Sequence, residues 1–279
     1  MKRVKKIIHY CDNEIAEKGW LGRDVVVVVM DTGVALHPEI RERIWMFRDF
    51  VNEQKEVYDD NGHGTHVAGI IGGRKLGIAP LCKLIVLKVL DAEGNGKTEY
   101  CMNAFRWILE NQEKYNIQVL NISMGMEEEA KDWNKMRILK AVELLWIRGI
   151  TVVAAAGNLG PKEDSITIPG KSDYIITVGA YDVEYSGRGS WEKQIFKPDL
   201  VAPGSKIISC NRENAYVSKS GTSMAAPVVS GAAAVLLSKF PYISNVEIKK
   251  RLKESCVDLN MDTTWQGKGL LNMKNLLTS

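Results

Sequence analysis

Residues 25–30 read VVVVVM, five valines and a methionine running straight into Asp31. A run that is apolar at every position, and not at alternate ones, has no face to offer water. Its β-branched content predicts a strand buried on both faces of a parallel sheet. Outward from it, residues 84–90 (LIVLKVL), 119–122, 150–155 (ITVVAA) and 175–178 carry the same signature. Helical patterns fall between them. Residues 99–111 set Ala104, Trp107, Ile108 and Asn111 on one face. Residues 132–147 place Met136, Leu139, Val142, Leu145 and Trp146 at helical spacing, with Arg148-Gly149 as a stop. Alternating strands and helices predict an α/β fold, a mainly parallel central sheet covered by helices on both sides. In such sheets ligands bind beyond the carboxyl ends of the strands. Asp31 follows the first strand, Ser123 the third and Asn158 the fourth.

The chain has 279 residues, 45% hydrophobic and 25% charged, enough to bury a large core. No linker, repeat or low-complexity block divides it, so residues 1–279 are expected to form a single domain. A net charge of +3, with basic and acidic residues interspersed, offers no nucleic-acid face. The basic residues 1–6 (MKRVKK) read as a solvated terminus. The five cysteines, Cys11, Cys82, Cys101, Cys210 and Cys256, are odd in number and widely spaced, without a CxxC pair. That pattern argues against a disulfide framework or a zinc site and favours reduced thiols in the cytoplasm. The N-terminus lacks the apolar core of a signal peptide. No apolar run is expected to span a bilayer, and residues 231–237 read as part of a buried helix.

Four segments carry the candidate chemistry. In Gly221-Thr-Ser-Met-Ala-Ala-Pro227, Thr222 is expected to cap a helix and Pro227 to sit within its first turn. Ser223 then lies at a helix N-terminus, where free amides favour a developing negative charge; a simple capping serine is the alternative. In Asp60-Asn-Gly-His-Gly-Thr-His66, His63 and His66 share a helix face, but the i, i+4 spacing and intervening Glu of a zinc-enzyme pair are missing. The glycines imply tight backbone passage near one imidazole, and the other histidine reads as structural. Asp31-Thr-Gly matches the aspartic-protease signature, yet it occurs once, and that chemistry needs two aspartates sharing a proton. Asn158 ends a strand and is read either as an oxyanion donor or as a turn residue.

Taken in chain order, the segments resemble the subtilisin family of serine peptidases, matching its three signatures at residues 28–33, 63–69 (HGTHVAG) and 221–227 (GTSMAAP). The resemblance runs from about residue 19 to the final helix and implies a single-domain, three-layer αβα subtilisin-like fold. It also implies an Asp31, His63, Ser223 triad, with Ser223 as nucleophile, His63 as general base and His66 as the structural histidine. Asn158 and the Ser223 amide would bind the oxyanion. Substrate would lie as an extended strand between Ser123-Met124-Gly125 and Gly94-Asn95-Gly96, beside Ala155 and Thr167.

Departures from the family are informative. The segment from Ile70 to Pro80 is short where secreted relatives wrap a tight calcium ion, and His37-Pro38-Glu39 stands where they supply an aspartate. That site is expected to be absent, with no cofactor required. The chain begins about where mature relatives begin, so either it folds without a prosegment or one has been removed. Thr167 stands where glycine is common, and Leu159 where polar residues are frequent; both narrow the substrate pocket or make it more apolar. Glu127-Glu128-Glu129 would draw basic side chains to the rim, or simply start a helix. A dedicated precursor-processing role competes with general protein turnover. A pseudoprotease would have lost a triad residue, and an ester hydrolase would carry GxSxG with its histidine after the serine.

Overall fold

The computed structural model describes residues 1–125 and 132–278. Among these residues seven strands form one parallel sheet: β1 (Val26–Asp31), β2 (Ile44–Asp49), β3 (Lys83–Lys88), β4 (Ile117–Ile122), β5 (Thr151–Ala155), β6 (Ile176–Ala180) and β7 (Leu200–Ala202), in the order β2-β3-β1-β4-β5-β6-β7. A hairpin of β8 (Ile207–Cys210) and β9 (Tyr216–Lys219) follows. The helices are α1 (Lys2–Ile7), α2 (Asp12–Glu17), α3 (His63–Gly72), α4 (Thr98–Tyr115), α5 (Asp132–Ile147), α6 (Thr222–Lys239), α7 (Asn245–Glu254), α8 (Thr263–Gln266) and α9 (Met273–Thr278). Helices α3 and α6 pack on one another and α4 on α5, giving a three-layer αβα domain around the sheet.

The all-valine run is β1, buried at every position and flanked by β3 and β4 near the middle of the sheet. All five strands read from sequence are present, with boundaries shifted by a residue or two. The edge strand β2 escapes the sequence reading because its side chains are half-exposed and carry no clean period. Strand β7 escapes it because it has three residues.

Helix α4 extends past the predicted 99–111, to Tyr115, and stops at Asn116 in the left-handed region (φ 46°). On α5, Met136 is exposed and not part of the core face, which is formed by Ile138, Ala141, Val142, Leu145 and Trp146. Thr222 is not the cap of α6: Gly221 is, and Thr222 is the first helical residue. Pro227 is consequently the sixth residue and lies beyond the first turn. Its missing N–H is the one that would have reached the Ser223 carbonyl. The apolar segment is also longer than expected. On length and composition the 18-residue α6 would suffice to cross a bilayer, yet 83% of it is buried inside the protein, against β4, β5, β6 and α3. A helix apolar all round is what a core position requires.

Candidate active site

Asp31 ends β1 with its side chain fully buried. Its Oδ1 accepts the Thr32 amide at 2.8 Å and meets Nδ1 of His63 at 2.7 Å. Among the described residues its Oδ2 has no hydrogen-bond partner. The approach of α3 to the end of β1 depends on two glycines. A Cβ on Gly64 would strike the Gly33 carbonyl, and one on Gly33 would strike that of Tyr58, with Gly33 at φ +123°.

Asp59 clamps the same junction. Its carboxylate accepts the amides of Gly62 (2.7 Å) and Thr65 (2.9 Å) at the start of α3, together with the hydroxyls of Thr65 (2.5 Å) and Thr32 (2.9 Å). Burial alone would raise its pKa, but these bonds hold it below the ordinary value of 3.8. Lys88, the last residue of β3 and fully buried, donates at 2.7 Å to the Thr32 carbonyl, the Leu90 carbonyl and Asp60 Oδ1. The sequence reading passed over both Asp59 and Lys88. One signal was a capping-type Asp-Asp-Asn-Gly run; the other was a single ammonium inside an otherwise apolar strand, which must find partners.

The two histidines separate cleanly. His63 is partly open to solvent and faces Asp31. Burial opposes its charged form, but the charge and hydrogen bond of Asp31 outweigh this and raise its pKa above 6.5. His66 is fully buried, and its Nε2 donates to the carbonyls of Ile207 on β8 and Val217 on β9 (3.0 and 3.1 Å). Its Nδ1 has no partner among the described residues, so a proton there would be unsatisfied. Burial accordingly pushes its pKa down to about 4.

Asn158 follows β5 on an exposed turn. Its Oδ1 accepts the Thr222 amide (3.0 Å) and the Thr222 hydroxyl (3.1 Å), and that hydroxyl accepts the Gly157 amide (3.2 Å). With Oδ1 so engaged, the side-chain NH2 is left as a donor beside the N-terminus of α6. Ser223, second residue of α6, is partly exposed. Its hydroxyl makes no hydrogen bond to the described residues, so the link from Ser223 to His63 stands open.

Gly94, Asn95, Gly96, Met124 and Gly125 line one cleft of about 700 Å³, which brings the two predicted substrate edges together. Ser123 and Ala155 do not line it. Ser123 is buried and accepts from Asn121 (2.9 Å), and Ala155 is buried at the end of β5. Thr167 is also nearly buried, lodged between Gly125 and Gly157. Residues 127–129, proposed as an acidic rim, lie outside the described residues. Glu39 engages the short loop after α3 directly: its carboxylate accepts the Lys75 amide (2.7 Å) and its carbonyl the Arg74 amide (2.9 Å). Among the described residues no group of three or more His, Cys, Asp or Glu is placed to hold a metal.

The family model described as the subtilase family, Peptidase S8, matches residues 22–272. The chain belongs to the subtilase family. It is therefore a subtilisin-like serine protease, a hydrolase of peptide bonds. Serine protease AprX of Bacillus subtilis (strain 168) is 35% identical over 91% of this chain, and the match spans 66% of AprX, just short of two thirds of its length. Subtilisin DY of Bacillus licheniformis is 34% identical over 94% of both chains. Among solved structures, Sphericase aligns with a TM-score of 0.82 at 30% identity, covering 90% of this chain and 92% of its own. A cold adapted subtilisin-like serine proteinase aligns with a TM-score of 0.78 at 31% identity, covering 91% and 90%. The subtilase match takes in Asp31, His63, Asn158 and Ser223 in a single span.

Proposed function

We propose that this subtilase is an endopeptidase that cleaves its substrate through an acyl-enzyme on Ser223. The observation that carries the reading is the 2.7 Å bond between Asp31 and His63 Nδ1. It leaves Nε2 as the free ring nitrogen, on a solvent-facing imidazole. Asp31 fixes the tautomer and stabilises the imidazolium; His63 Nε2 takes the Ser223 proton as the hydroxyl attacks the carbonyl. The Ser223–His63 bond closes when substrate enters, as catalytic hydrogen bonds commonly tighten only in the loaded complex. The tetrahedral oxyanion lies between the Asn158 NH2 and the Ser223 amide. His63 then returns the proton to the leaving amine, and water releases the acyl group.

Substrate binds as an extended strand between residues 94–96 and 123–125, along the 700 Å³ cleft. No cofactor takes part, and neither nucleic acid nor membrane is a partner. A cytoplasmic location is favoured by five free cysteines, two of them buried. Within the cytoplasm an unrestrained broad protease endangers its host, which favours a dedicated role in trimming a leader or precursor peptide over general turnover.

A fluorophosphonate probe tests the chemistry: it should label the wild-type protein and fail on Ser223→Ala. Label that persists in Ser223→Ala and disappears on loss of another serine would refute it. Digestion of unfolded casein beside candidate leader peptides tests the role. Casein cleavage at equal or greater rate would favour general turnover.

A further inference from the structure

We infer that Asp182 is a positioning residue for the oxyanion site and that Arg3 of α1 holds it to that task, so that a helix outside the cleft helps to set the turnover rate. This deepens the acyl-enzyme reading above and rests on it.

Gly221, the cap of α6, adjoins both oxyanion donors. It stands two residues before Ser223, and a Cβ on it would lie 3.2 Å from Asn158 Nδ2. At φ +137° and without a side chain, it is placed by its backbone bonds alone. Its amide donates to the Gly204 carbonyl (3.0 Å), and its carbonyl accepts the Met224 amide (3.0 Å). Gly204 presses close: a Cβ there would lie 2.8 Å from the Gly221 carbonyl oxygen and 2.4 Å from Ala180 Cβ.

Asp182, two residues past the end of β6, fixes the turn that carries Gly204. Its Oδ1 accepts the amides of Gly204 (2.7 Å) and Ser205 (3.0 Å). Its Oδ2 is buried without a hydrogen-bond partner among the described residues. Arg3 supplies the positive charge there, with Nη2 at 3.9 Å from Oδ2, and the same nitrogen donates to the Ser205 carbonyl. A buried carboxylate oxygen without a donor is tolerable beside such a charge and costly without it. Arg3 therefore keeps the carboxylate turned so that Oδ1 faces the two amides. The effect runs from Asp182 through Gly204 to Gly221 and the oxyanion donors. It leaves the strand-binding segments at 94–96 and 123–125 untouched. A small displacement of a donor weakens its hold on the transition state more than on the uncleaved strand.

The test takes kcat and KM with a peptide anilide, the Ki of a peptide boronic acid of the same sequence, and the urea midpoint. The boronate adduct on Ser223 is tetrahedral and sets an oxygen at the oxyanion position, whereas KM follows binding of the uncleaved strand. Arg3→Ala should lower kcat about fivefold and raise the boronate Ki by about the same factor, with KM within about twofold. The Arg3 side chain is half exposed, so the urea midpoint should hardly move. Arg3→Lys should bring kcat back to within about twofold of wild type. Asp182→Ala should lower kcat about 30-fold. If it does not fold, Asp182→Asn takes its place; it keeps an acceptor for Gly204, loses the charge that faces Arg3, and should resemble Arg3→Ala. Wild-type kcat in Arg3→Ala, or in the folded Asp182 variant, overturns the inference. So does a loss confined to KM or to the urea midpoint with the boronate Ki unchanged, the mark of a purely structural ion pair. Fluorophosphonate labelling of Ser223 is run on each protein. A labelled wild type with an unaffected Arg3→Ala condemns this inference alone, whereas absence of label from the wild type condemns the acyl-enzyme reading beneath it.

Discussion

Lys88 stands directly opposite Asp31 in the β1–β3 register, yet its ammonium lies on the carbonyl of Thr32, one residue beyond the carboxylate. Thr32 is thereby held at every polar group it has. Its amide goes to Asp31, its hydroxyl donates to Asp59 and accepts the Gly64 amide, and its carbonyl accepts Lys88. The peptide that orients Asp31 is thus fixed from β3 and from α3 at once.

Removing Lys88 should loosen that peptide. Lys88→Met leaves two buried carbonyls without a donor and strips Asp60 of its partner. Loss of one member of a buried pair costs about 3–5 kcal/mol. Asp60 is about a third exposed, so roughly 2–4 kcal/mol of unfolding free energy is expected here. Misplacement of Asp31 should also lower kcat by about tenfold or more. Urea denaturation and steady-state kinetics on the same preparation check both; an unchanged midpoint would contradict the account.

His63 acts as a base only when neutral. Asp31 raises its pKa above 6.5, so kcat/KM should rise with pH as one proton is lost, with its midpoint above 6.5. His63→Ala should cost about a thousandfold or more in kcat, as triad members in this family act as a unit. A pH–rate profile with its midpoint below 6.5 would contradict the Asp31 contact.

His66 shifts the other way. Its folded pKa of about 4 lies below its unfolded value of 6.5, so between these values the unfolded chain binds more protons. Stability should therefore fall as pH drops from 6.5 toward 4 and lose nothing further from this group below 4. The loss is on the order of 3 kcal/mol, at about 1.4 kcal/mol per pKa unit. His66→Leu should be less stable at pH 7, having lost its bonds to β8 and β9, and should lack this portion of the acid slope. Denaturation curves at pH 4.5 and 7 for both proteins give the comparison. Equal slopes would mean that His66 is not the titrating group.

Asn158 and Thr222 should be separable. Asn158→Ala removes an oxyanion donor, which in this family costs about 2.7–4 kcal/mol of transition-state stabilisation, a hundredfold or more in kcat. Thr222→Val keeps the amide bond to Asn158 but deletes the hydroxyl that braces Asn158 and Gly157. A fall in kcat of about tenfold with KM little changed is expected. A Thr222→Val enzyme altered in KM alone would assign Thr222 to substrate binding.

What could be read in advance followed from uniform chemistry over several residues. The run at 25–30 and its four companions were legible as strands because burial on both faces leaves no polar position. Asp31, His63, Asn158 and Ser223 were legible because they sit in extended motifs at strand and helix ends. Strands β2 and β7, the hairpin, and the bracing by Asp59 and Lys88 were not. The strands are too short or too exposed to show a period, and a single polar residue such as Lys88 does not name its partners at Asp60 and Thr32, 28 and 56 residues away. Thr222 was read as a cap because local pattern favours that role; its hydroxyl instead serves a turn 64 residues away.

Asp31 and His63 lie 32 residues apart, whereas His66 reaches its acceptors across 141 and 151 residues of chain. The acid–base pair can therefore assemble early in synthesis, while the helix bearing Ser223 can dock only after the hairpin before it has been made. Such long-range closure is slow compared with local pairing. A ribosome-bound fragment ending before residue 223 has no nucleophile for that imidazole to deprotonate. Hydrolytic power thus arrives only with α6, and a growing chain is spared from cutting itself or its neighbours until then.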